Sequence, residues 1–269
     1  MTQPGQSAQY YQRGKLAMPI EKTKGIVLRS QKWMESSRIV TICTEDFGKI
    51  KAVAKGARRL KNKFGASLEP ITHGSFVFYR TPHGQLHTLD EGWVISWFTN
   101  LKSDLKKFFQ ASFFCELTDW LAPLEQRTGD FYQLLLEALC AVEDAPPNSL
   151  QPLLWSFQLQ ILTISGYHLE MSRCSSCGLV PKKGPVSFSL PLGGLLCENC
   201  LAKDENAMQI HLGTAKLLSE LQRRDLKGVR NLGAPHSLTR EIQKILSVSL
   251  RYHAGDSRRL KTADFLPTD

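Results

Sequence analysis

Residues 48–65 read GKIKAVAKGARRLKNKFG, a stretch that carries seven cations and no acidic residue. In its first half apolar residues alternate with mostly charged ones, which predicts a β-strand with one buried face. The predicted inner face comprises Ile50, Ala52 and Ala54, and the predicted outer face comprises Lys49, Lys51 and Val53. The pattern breaks at Gly56, and the second half is predicted to be a basic loop. A strand that leads into such a loop favours a polyanionic ligand; a solvated surface loop is the alternative.

The net charge is unevenly distributed along the chain of 269 residues. Residues 1–102 carry 16 Lys+Arg and 7 Asp+Glu, a net charge of +9. Residues 103–269 carry 18 of each kind and are neutral overall. A positive excess confined to one part of the chain indicates a surface for nucleic acid or for an anionic membrane.

The chain lacks the features of a membrane or secreted protein. No apolar run approaches the ~20 residues of a membrane span. The first 22 residues, MTQPGQSAQYYQRGKLAMPIEK, contain no apolar core segment, so they do not predict a secretory signal. We expect residues 1–20 to be a disordered polar extension.

The next part of the chain has the pattern of a small β-barrel. Five strands are predicted at 25–30, 38–44, 48–55, 75–79 and 86–97, the last being the longest, with turns at 45–48 and 81–84. Five strands are too few for a sandwich and sufficient for an OB-fold, a barrel that binds oligonucleotides. The sequence therefore predicts an OB-fold domain over residues 21–100, with an SH3-like barrel as the alternative.

From residue 101 onward the hydrophobic period becomes helical. Helices are predicted at 101–121, 129–142, 153–167, 213–224 and 238–253. Ser103 is the predicted N-cap of the first helix. It also begins a weak SxxK pattern, which an N-cap explains better than a catalytic site does. The third helix is apolar on most sides and is predicted to lie at the centre of a helical core. The fold class is thus an α+β protein with a helical domain over residues 101–269.

Four of the seven cysteines form two CxxC motifs that are 19 residues apart, Cys174–Cys177 and Cys197–Cys200. This spacing is typical of a tetrahedral Cys₄ zinc site, and Gly178 would ease the turn after the first motif. An iron–sulfur cluster, a redox pair and two disulfides are the alternatives. Four protein ligands leave no open position, so the zinc would be structural. The motifs predict a zinc ribbon inserted at about 172–203 in the helical domain.

The other three cysteines, Cys43, Cys115 and Cys140, lie singly among apolar residues. We expect them to be buried thiols. An odd number of cysteines with one clustered set is typical of a reducing compartment rather than of a secreted disulfide framework.

Catalytic motifs are absent from the sequence, which has no GxxxxGK[ST], GxGxxG, HExxH or GxSxG. His73, His83 and His87 lie close together in the sequence, but no carboxylate or cysteine is spaced to complete a site with them. We expect these histidines to face solvent on strands and turns. The sequence thus predicts a protein that is not an enzyme.

Several segments together resemble the RecO family of bacterial recombination mediators. The most similar segment is TEDFGKIKAVAKGARRLKNKFGASLEP at residues 44–70. GIVLRS at 25–30, SGYHLE at 165–170, the CxxCG motif and RYHAGDSRRLKTADFL at 251–266 are also similar. The resemblance extends over about residues 24–266 in the same order.

The resemblance implies an N-terminal OB-fold, a helical domain and an embedded zinc ribbon. It also implies binding of single- and double-stranded DNA and annealing of complementary strands. The implied protein partners are RecR, the acidic tail of single-strand-binding protein and, indirectly, RecA. A cytoplasmic, nucleoid-associated location follows from these roles, and no membrane is implied.

The resemblance carries five basic positions onto this chain: Lys55, Arg58, Arg59, Lys61 and Lys63. With the two strand lysines, the candidate DNA-binding residues are Lys49, Lys51, Lys55, Arg58, Arg59, Lys61 and Lys63. Phe64 is either a stacking platform for bases or part of the barrel core, and the sequence favours the core. A zinc-ribbon protein that binds RNA or acts in transcription or on the ribosome is the alternative function.

Overall fold

The computed structural model describes residues 18–82, 85–127, 129–229, 232, 236–254 and 260–262. The predicted N-terminal disorder, His83 and most of the motif at 251–266 therefore lie outside the described residues. The described chain forms two compact units, one up to Phe98 together with Ala122–Leu136, and the other comprising Thr99–Leu121 and the residues from Glu137 onward. The segment Ala122–Leu136 thus belongs to the first unit although it follows the first long helix.

The first unit contains a closed five-stranded barrel. Its strands are β1 (Ile20–Trp33), β2 (Ser37–Thr44), β3 (Gly48–Ala54), β4 (His73–Tyr79) and β5 (His87–Ser96). They are hydrogen-bonded in the order β1-β2-β3-β5-β4, and β4 pairs with β1 to close the barrel. Neighbouring strands are antiparallel except β3 and β5, which are parallel. This order confirms the predicted OB-like barrel.

The longest strand is β1 and not β5 as predicted. β1 has 14 residues, because its N-terminal half pairs with β4 and its C-terminal half pairs with β2. A strand that serves two neighbours in succession must bend, and its register shifts between Val27 and Arg29. The residues at both ends of β1 are mostly polar, so the hydrophobic pattern of the sequence predicts a shorter strand.

The barrel core is filled by side chains that alternate along the strands. Ile50, Ala52 and Ala54 of β3 are buried, which confirms the predicted inner face. Phe64 is also buried, so it belongs to the core rather than to a stacking platform. The core cluster comprises Val27, Val40, Ile42, Ile50, Ala52, Ala54, Ala57, Phe64, Leu68, Phe76, Phe78 and Leu89.

The segment Ala122–Leu136 packs against the start of β3. Leu124 forms a parallel bridge with Lys49, and the backbone N–H of Glu125 donates to the carbonyl of Lys49 over 2.8 Å. Gly48 has a φ of +66°, and a Cβ at this position would lie 1.9 Å from the carbonyl oxygen of Gln126. Only glycine allows this turn and this close approach together.

The second unit is mainly helical. Its helices are α1 (Thr99–Ser103), α2 (Leu105–Leu121), α3 (Gly129–Glu143, whose first residues belong to the first unit), α4 (Leu150–Ile164), α5 (Leu212–Arg223), α6 (Leu226–Val229) and α7 (His236–Ala254). A 3₁₀ turn at Pro147–Ser149 precedes α4. Within the described residues, none of these helices combines the length and apolar character needed to cross a bilayer.

Helix α4 lies at the centre of this unit, as its sequence predicts. It contacts α2, α5, α6 and α7. Phe157 of α4 stacks on Phe114 of α2 with ring centroids 4.0 Å apart, and both side chains are fully buried. Burial on nearly every side explains why α4 shows no polar face in the sequence.

Two predictions for the helical residues are wrong. Ser103 is the last residue of α1 and not an N-cap. The helical conformation is interrupted at Asp104, whose carboxylate accepts the backbone N–H of Lys107 over 3.0 Å. Aspartate at this position satisfies a free N–H at the helix start. Cys140 is exposed rather than buried, whereas Cys43 and Cys115 are buried as expected. Burial raises the pKa of the Cys43 thiol to about 12.

A small four-stranded sheet follows α4. It consists of β6 (Glu170–Cys174), β7 (Val186–Ser189), β8 (Gly194–Cys197) and β9 (Met208–Ile210), in the order β6-β8-β7-β9. A 3₁₀ helix at Glu198–Lys203 lies between β8 and β9. The sheet therefore extends past the predicted end of the ribbon near residue 203, since β9 pairs with β7.

The constraint at Gly48 leads to a stability prediction. We expect Gly48→Ala to lower the free energy of unfolding by about 3 kcal/mol, because the new Cβ meets the Gln126 carbonyl and φ stays positive. Gly65→Ala is the control: Gly65 has a φ of +53° and a Cβ added there would meet no atom within 4 Å, so this change should cost about 1 kcal/mol. Urea unfolding of both variants measures the difference, and equal losses would contradict the role of the Gln126 contact.

Candidate nucleic-acid interface and metal centre

Four cysteine sulfur atoms converge at one end of the small sheet. The Sγ atoms of Cys174, Cys177, Cys197 and Cys200 all lie within 4.8 Å of one another. Cys177 and Cys197 have their sulfur atoms 3.7 Å apart, far longer than the about 2.05 Å of a disulfide. A tetrahedral ion with metal–sulfur distances of about 2.3 Å places its sulfurs about 3.8 Å apart. The cluster can therefore hold one metal ion.

Local backbone geometry prepares this cluster for a cation. Gly178 adopts a φ of +76°, as a residue after the first CxxC turn requires, and its N–H donates to the carbonyl of Cys174 over 2.9 Å. The N–H of Cys197 points at the sulfur of Cys174 over 3.5 Å. Burial raises the pKa of the Cys174 thiol, but donation from the backbone of Cys197, Cys177 and Ser176 outweighs burial and brings this pKa to about 6. The backbone thus favours the thiolate at Cys174, whereas burial and the neighbouring cysteines raise the pKa of the Cys197 thiol to about 12.

The cations of β3 and of the following loop lie on the surface of the barrel. Lys51 is exposed on the outer face of β3, opposite Thr41 of β2, and Lys49 is half-buried on the same face. Five exposed cations of this stretch form no ion pair within the described part of the chain: Lys51, Lys55, Arg58, Arg59 and Lys61.

Two of the predicted DNA-binding cations have partners inside the barrel unit. Lys63 forms an ion pair with Asp90, and its ammonium group lies 5.8 Å from the centroid of the Phe64 ring. Arg58 donates from its guanidinium to the carbonyls of Met34 and Glu35 over 3.2 and 2.7 Å. Arg58 and Lys63 are exposed too, but among the described residues they differ from Lys51, Lys55, Arg59 and Lys61 in having side-chain contacts that hold the loop to the rest of the barrel unit.

The structure shows a row of apolar side chains near these cations that the sequence analysis did not predict. Trp33 is an exposed aromatic residue at the end of β1, opposite Ser37. Ile39 and Val53 are opposite each other on the outer face of β2 and β3 and are half-buried. The signal in the sequence was the tryptophan itself, which lies in a run of polar residues before the second strand and has no core to enter.

The expectation that the histidines face solvent is wrong for both described members. His73 is buried, and its Nε2 lies 2.9 Å from the hydroxyl of Tyr132. His87 is buried too: its Nδ1 accepts the N–H of Thr81 over 3.2 Å, and its Nε2 faces a Glu125 carboxylate oxygen at 3.5 Å. Burial lowers the pKa of both imidazoles. They are structural residues, drawn inward because the segment Ala122–Leu136 covers the barrel at these points.

Comparison with known proteins agrees with this architecture. A family profile described as "Recombination protein O N terminal" matches residues 18–98, and one described as "Recombination protein O C terminal" matches residues 102–262. DNA repair protein RecO of Symbiobacterium thermophilum is 32% identical over 253 residues, which cover 93% of this chain and 98% of that protein.

Other bacterial relatives are similar to the same extent. DNA repair protein RecO of Anaeromyxobacter dehalogenans strain 2CP-C is 33% identical over 91% of this chain and 95% of that protein. DNA repair protein RecO of Caldicellulosiruptor bescii is 30% identical over 85% of this chain and 91% of that protein. Because both family profiles match in order and the relatives are covered nearly end to end, the chain belongs to the RecO family of DNA repair proteins.

Proposed function

We propose that this protein binds single- and double-stranded DNA through its barrel and anneals complementary strands. Together with RecR it would help to load RecA onto DNA that is coated by single-strand-binding protein, whose acidic tail it would contact. The observation that carries the proposal is the exposed basic surface of β3 and its loop in a chain of the RecO family. A DNA-bound location at the bacterial nucleoid follows from this role.

The exposed cations suit a polymer of phosphates better than a single anion. Lys51 is on the strand face, whereas Lys55, Arg59 and Lys61 follow at intervals along the loop, so the charges are spread rather than focused into a pocket. Contacts with phosphates carry no base information, so this surface would bind DNA without sequence preference. We assign the phosphate contacts mainly to these four cations and a smaller share to Lys49 and Lys63, whereas the guanidinium of Arg58 is bound to the carbonyls of Met34 and Glu35.

Annealing on this surface needs no chemical step. Two complementary strands repel each other through their phosphates, and a barrel with a charge of +9 over residues 1–102 neutralises part of that repulsion. A strand held by its phosphates keeps its bases accessible to the complementary strand. The remainder of the chain has no net charge and is available to protein partners rather than to DNA.

We propose that the metal is zinc and that it is structural. Four thiolate donors within 4.8 Å suit a single tetrahedral ion, and they leave no coordination position for a substrate. The ion would hold together β6, β8 and the 3₁₀ helix. Cys174 ends β6 and Cys197 ends β8, whereas Cys177 lies in the turn after β6 and Cys200 lies within the 3₁₀ helix. Its contribution would be to the folding of the small sheet.

The basic surface yields a binding prediction. Replacing Lys51, Lys55, Arg59 and Lys61 together with Ala should weaken binding of single-stranded DNA and flatten the slope of log K against log salt by about 2.8, at about 0.7 per lost contact. The control replaces four exposed lysines of the neutral unit with Ala: Lys182, Lys183, Lys203 and Lys227. It has the same change in net charge. Fluorescence anisotropy at several salt concentrations measures both, and equal slopes in the two variants would contradict the assignment.

The proposed activity is tested by strand pairing. The purified protein should accelerate pairing of two complementary strands without nucleotide, and the acceleration should decline steeply with salt because the phosphate contacts are lost. It should persist when the strands are coated with single-strand-binding protein. A requirement for ATP would indicate an active site that we have not assigned, and slower pairing would indicate a protein that only coats DNA.

Metal analysis tests the second centre. Protein purified without chelator should contain one zinc per chain by elemental analysis. Cys197→Ser should reduce the zinc content, the soluble yield and the melting temperature, because folding of the small sheet depends on the ion. Cys115→Ser, at a buried cysteine outside the cluster, is the control and should retain the zinc. Iron in place of zinc, or no metal, would refute the assignment.

A further inference from the structure

The hairpin between β1 and β2 presents large apolar side chains to solvent. Trp33 is 43% exposed and Met34 is 77% exposed. Met34 also adopts a φ of +50°, in the left-handed region that a long side chain rarely occupies. Neither side chain belongs to the barrel core, so both apolar surfaces of the hairpin tip are open to a ligand.

Arg58 holds this hairpin tip in place. Its guanidinium donates to the carbonyls of Met34 and Glu35, and its backbone N–H donates to the carbonyl of Ser36 over 2.9 Å. Three hydrogen bonds thus join one residue of the basic loop to three successive residues of the tip. Both side-chain hydrogen bonds are donated by one nitrogen, Nη1, so they depend on the reach and the orientation of the guanidinium, which a lysine ammonium does not share.

The tip extends an apolar row on the outer face of the barrel. Ile39 lies diagonally across from Trp33, since Trp33 pairs with Ser37, and it is directly opposite Val53. Diagonal neighbours on an antiparallel pair are about 7–8 Å apart, within reach of an aromatic side chain. Lys51 is on the same face, two residues before Val53. An indole therefore lies at the end of an apolar row whose face also carries the exposed cation Lys51.

This combination suits single-stranded nucleic acid. Cations that follow one another along the surface match a line of phosphates, and an indole face offers stacking to any base. In a duplex the base faces are covered by their neighbours, so the indole has no partner there. A folded protein partner would be expected to bury a broader apolar surface than one row and would gain less from the exposed cations. On an OB barrel, the face of the second and third strands and the loop between the first two are the regions that bind oligonucleotides.

We propose that Trp33 stacks on a base of bound single-stranded DNA, and that Arg58 is a positioning residue that fixes Trp33 beside the cations. This inference rests on the proposed DNA-binding function. It gives the barrel a means to distinguish single strands from duplex, because the cations contact both forms whereas Trp33 contacts only unstacked bases.

The first test compares two exposed tryptophans of the same unit. Trp33→Ala should weaken binding of an oligo-dT single strand about 10-fold. The salt slope should stay unchanged, because no phosphate contact is lost. Trp33→Phe should restore most of the affinity, since a phenyl ring also stacks. The control is Trp93→Ala, a residue of β5 that is 49% exposed and pairs with Ser75 on β4, and it should bind oligo-dT as the parent protein does. Affinity for a blunt duplex should not change in any of the three.

The second test separates positioning by Arg58 from phosphate contact. Arg58→Ala and Arg58→Lys should both weaken oligo-dT binding without flattening the salt slope. In a Trp33→Ala background the Arg58 substitutions should have little further effect, since the residue they position is gone. Rescue by lysine together with a flatter slope in the alanine variant would instead make Arg58 a phosphate contact and overturn its positioning role. Melting curves for each variant establish that the barrel is folded, and the tryptophan comparison stands if an Arg58 variant is not.

The outcomes for the two proposals can be told apart. If the variant that lacks Lys51, Lys55, Arg59 and Lys61 binds DNA normally, the proposed DNA-binding surface is wrong. If that variant loses affinity while Trp33→Ala binds oligo-dT as tightly as Trp93→Ala, only the stacking inference is wrong. An equal loss of duplex and single-strand affinity in Trp33→Ala would also overturn it.

Discussion

The two-residue period of β3 is the constraint on which the basic surface of the barrel depends. Ile50, Ala52 and Ala54 must enter the core for the barrel to close, so the residues between them must point outward. The small side chains of the two alanines are accommodated inside because Phe76 and Phe78 fill the remaining volume. The register with β2 then places Lys51 and Val53 beside Thr41 and Ile39. One strand thus closes the hydrophobic core and supplies the start of a charged surface.

The basic loop after β3 has two kinds of cation, and the difference follows from their contacts. Arg58 and Lys63 bind groups of the barrel itself, one through backbone carbonyls and one through Asp90. Lys55, Arg59 and Lys61 are exposed like these two, but their side chains form no ion pair in the described part of the chain. The contacts of Arg58 and Lys63 fix the position of the loop. The charges of Lys55, Arg59 and Lys61 are then held near the barrel without being paired with an acidic group. A loop without these contacts would lose more conformational entropy when it became ordered on DNA. The contacts of Arg58 and Lys63 lower this entropic cost.

The metal centre follows a similar logic on a smaller scale. Backbone N–H groups that surround the sulfur of Cys174 counteract the effect of burial on the pKa of this thiol, and they do so because Gly178 permits the turn. Four thiols so close together would repel one another once ionised, and a divalent cation removes that repulsion. The folded small sheet and an ion in this cluster would therefore stabilise each other, whereas the barrel is held by strand pairing and side-chain packing.

Local pattern in the sequence was sufficient for the strand and helix order, the inner face of β3, the central place of α4 and the four cysteines, because pleat, helical period and CxxC spacing are properties of short segments. Local pattern could not determine the contacts between segments that are far apart in the sequence. His73 and His87 were predicted to be exposed, but Tyr132 and Glu125 lie against them. Ser103 was predicted to be a cap, but Asp104 accepts the N–H. For Arg58 the sequence offered only a charge, and it did not predict the three hydrogen bonds to carbonyls more than twenty positions earlier. Burial and hydrogen bonding between distant segments depend on how the barrel closes, and only the tertiary structure decides that.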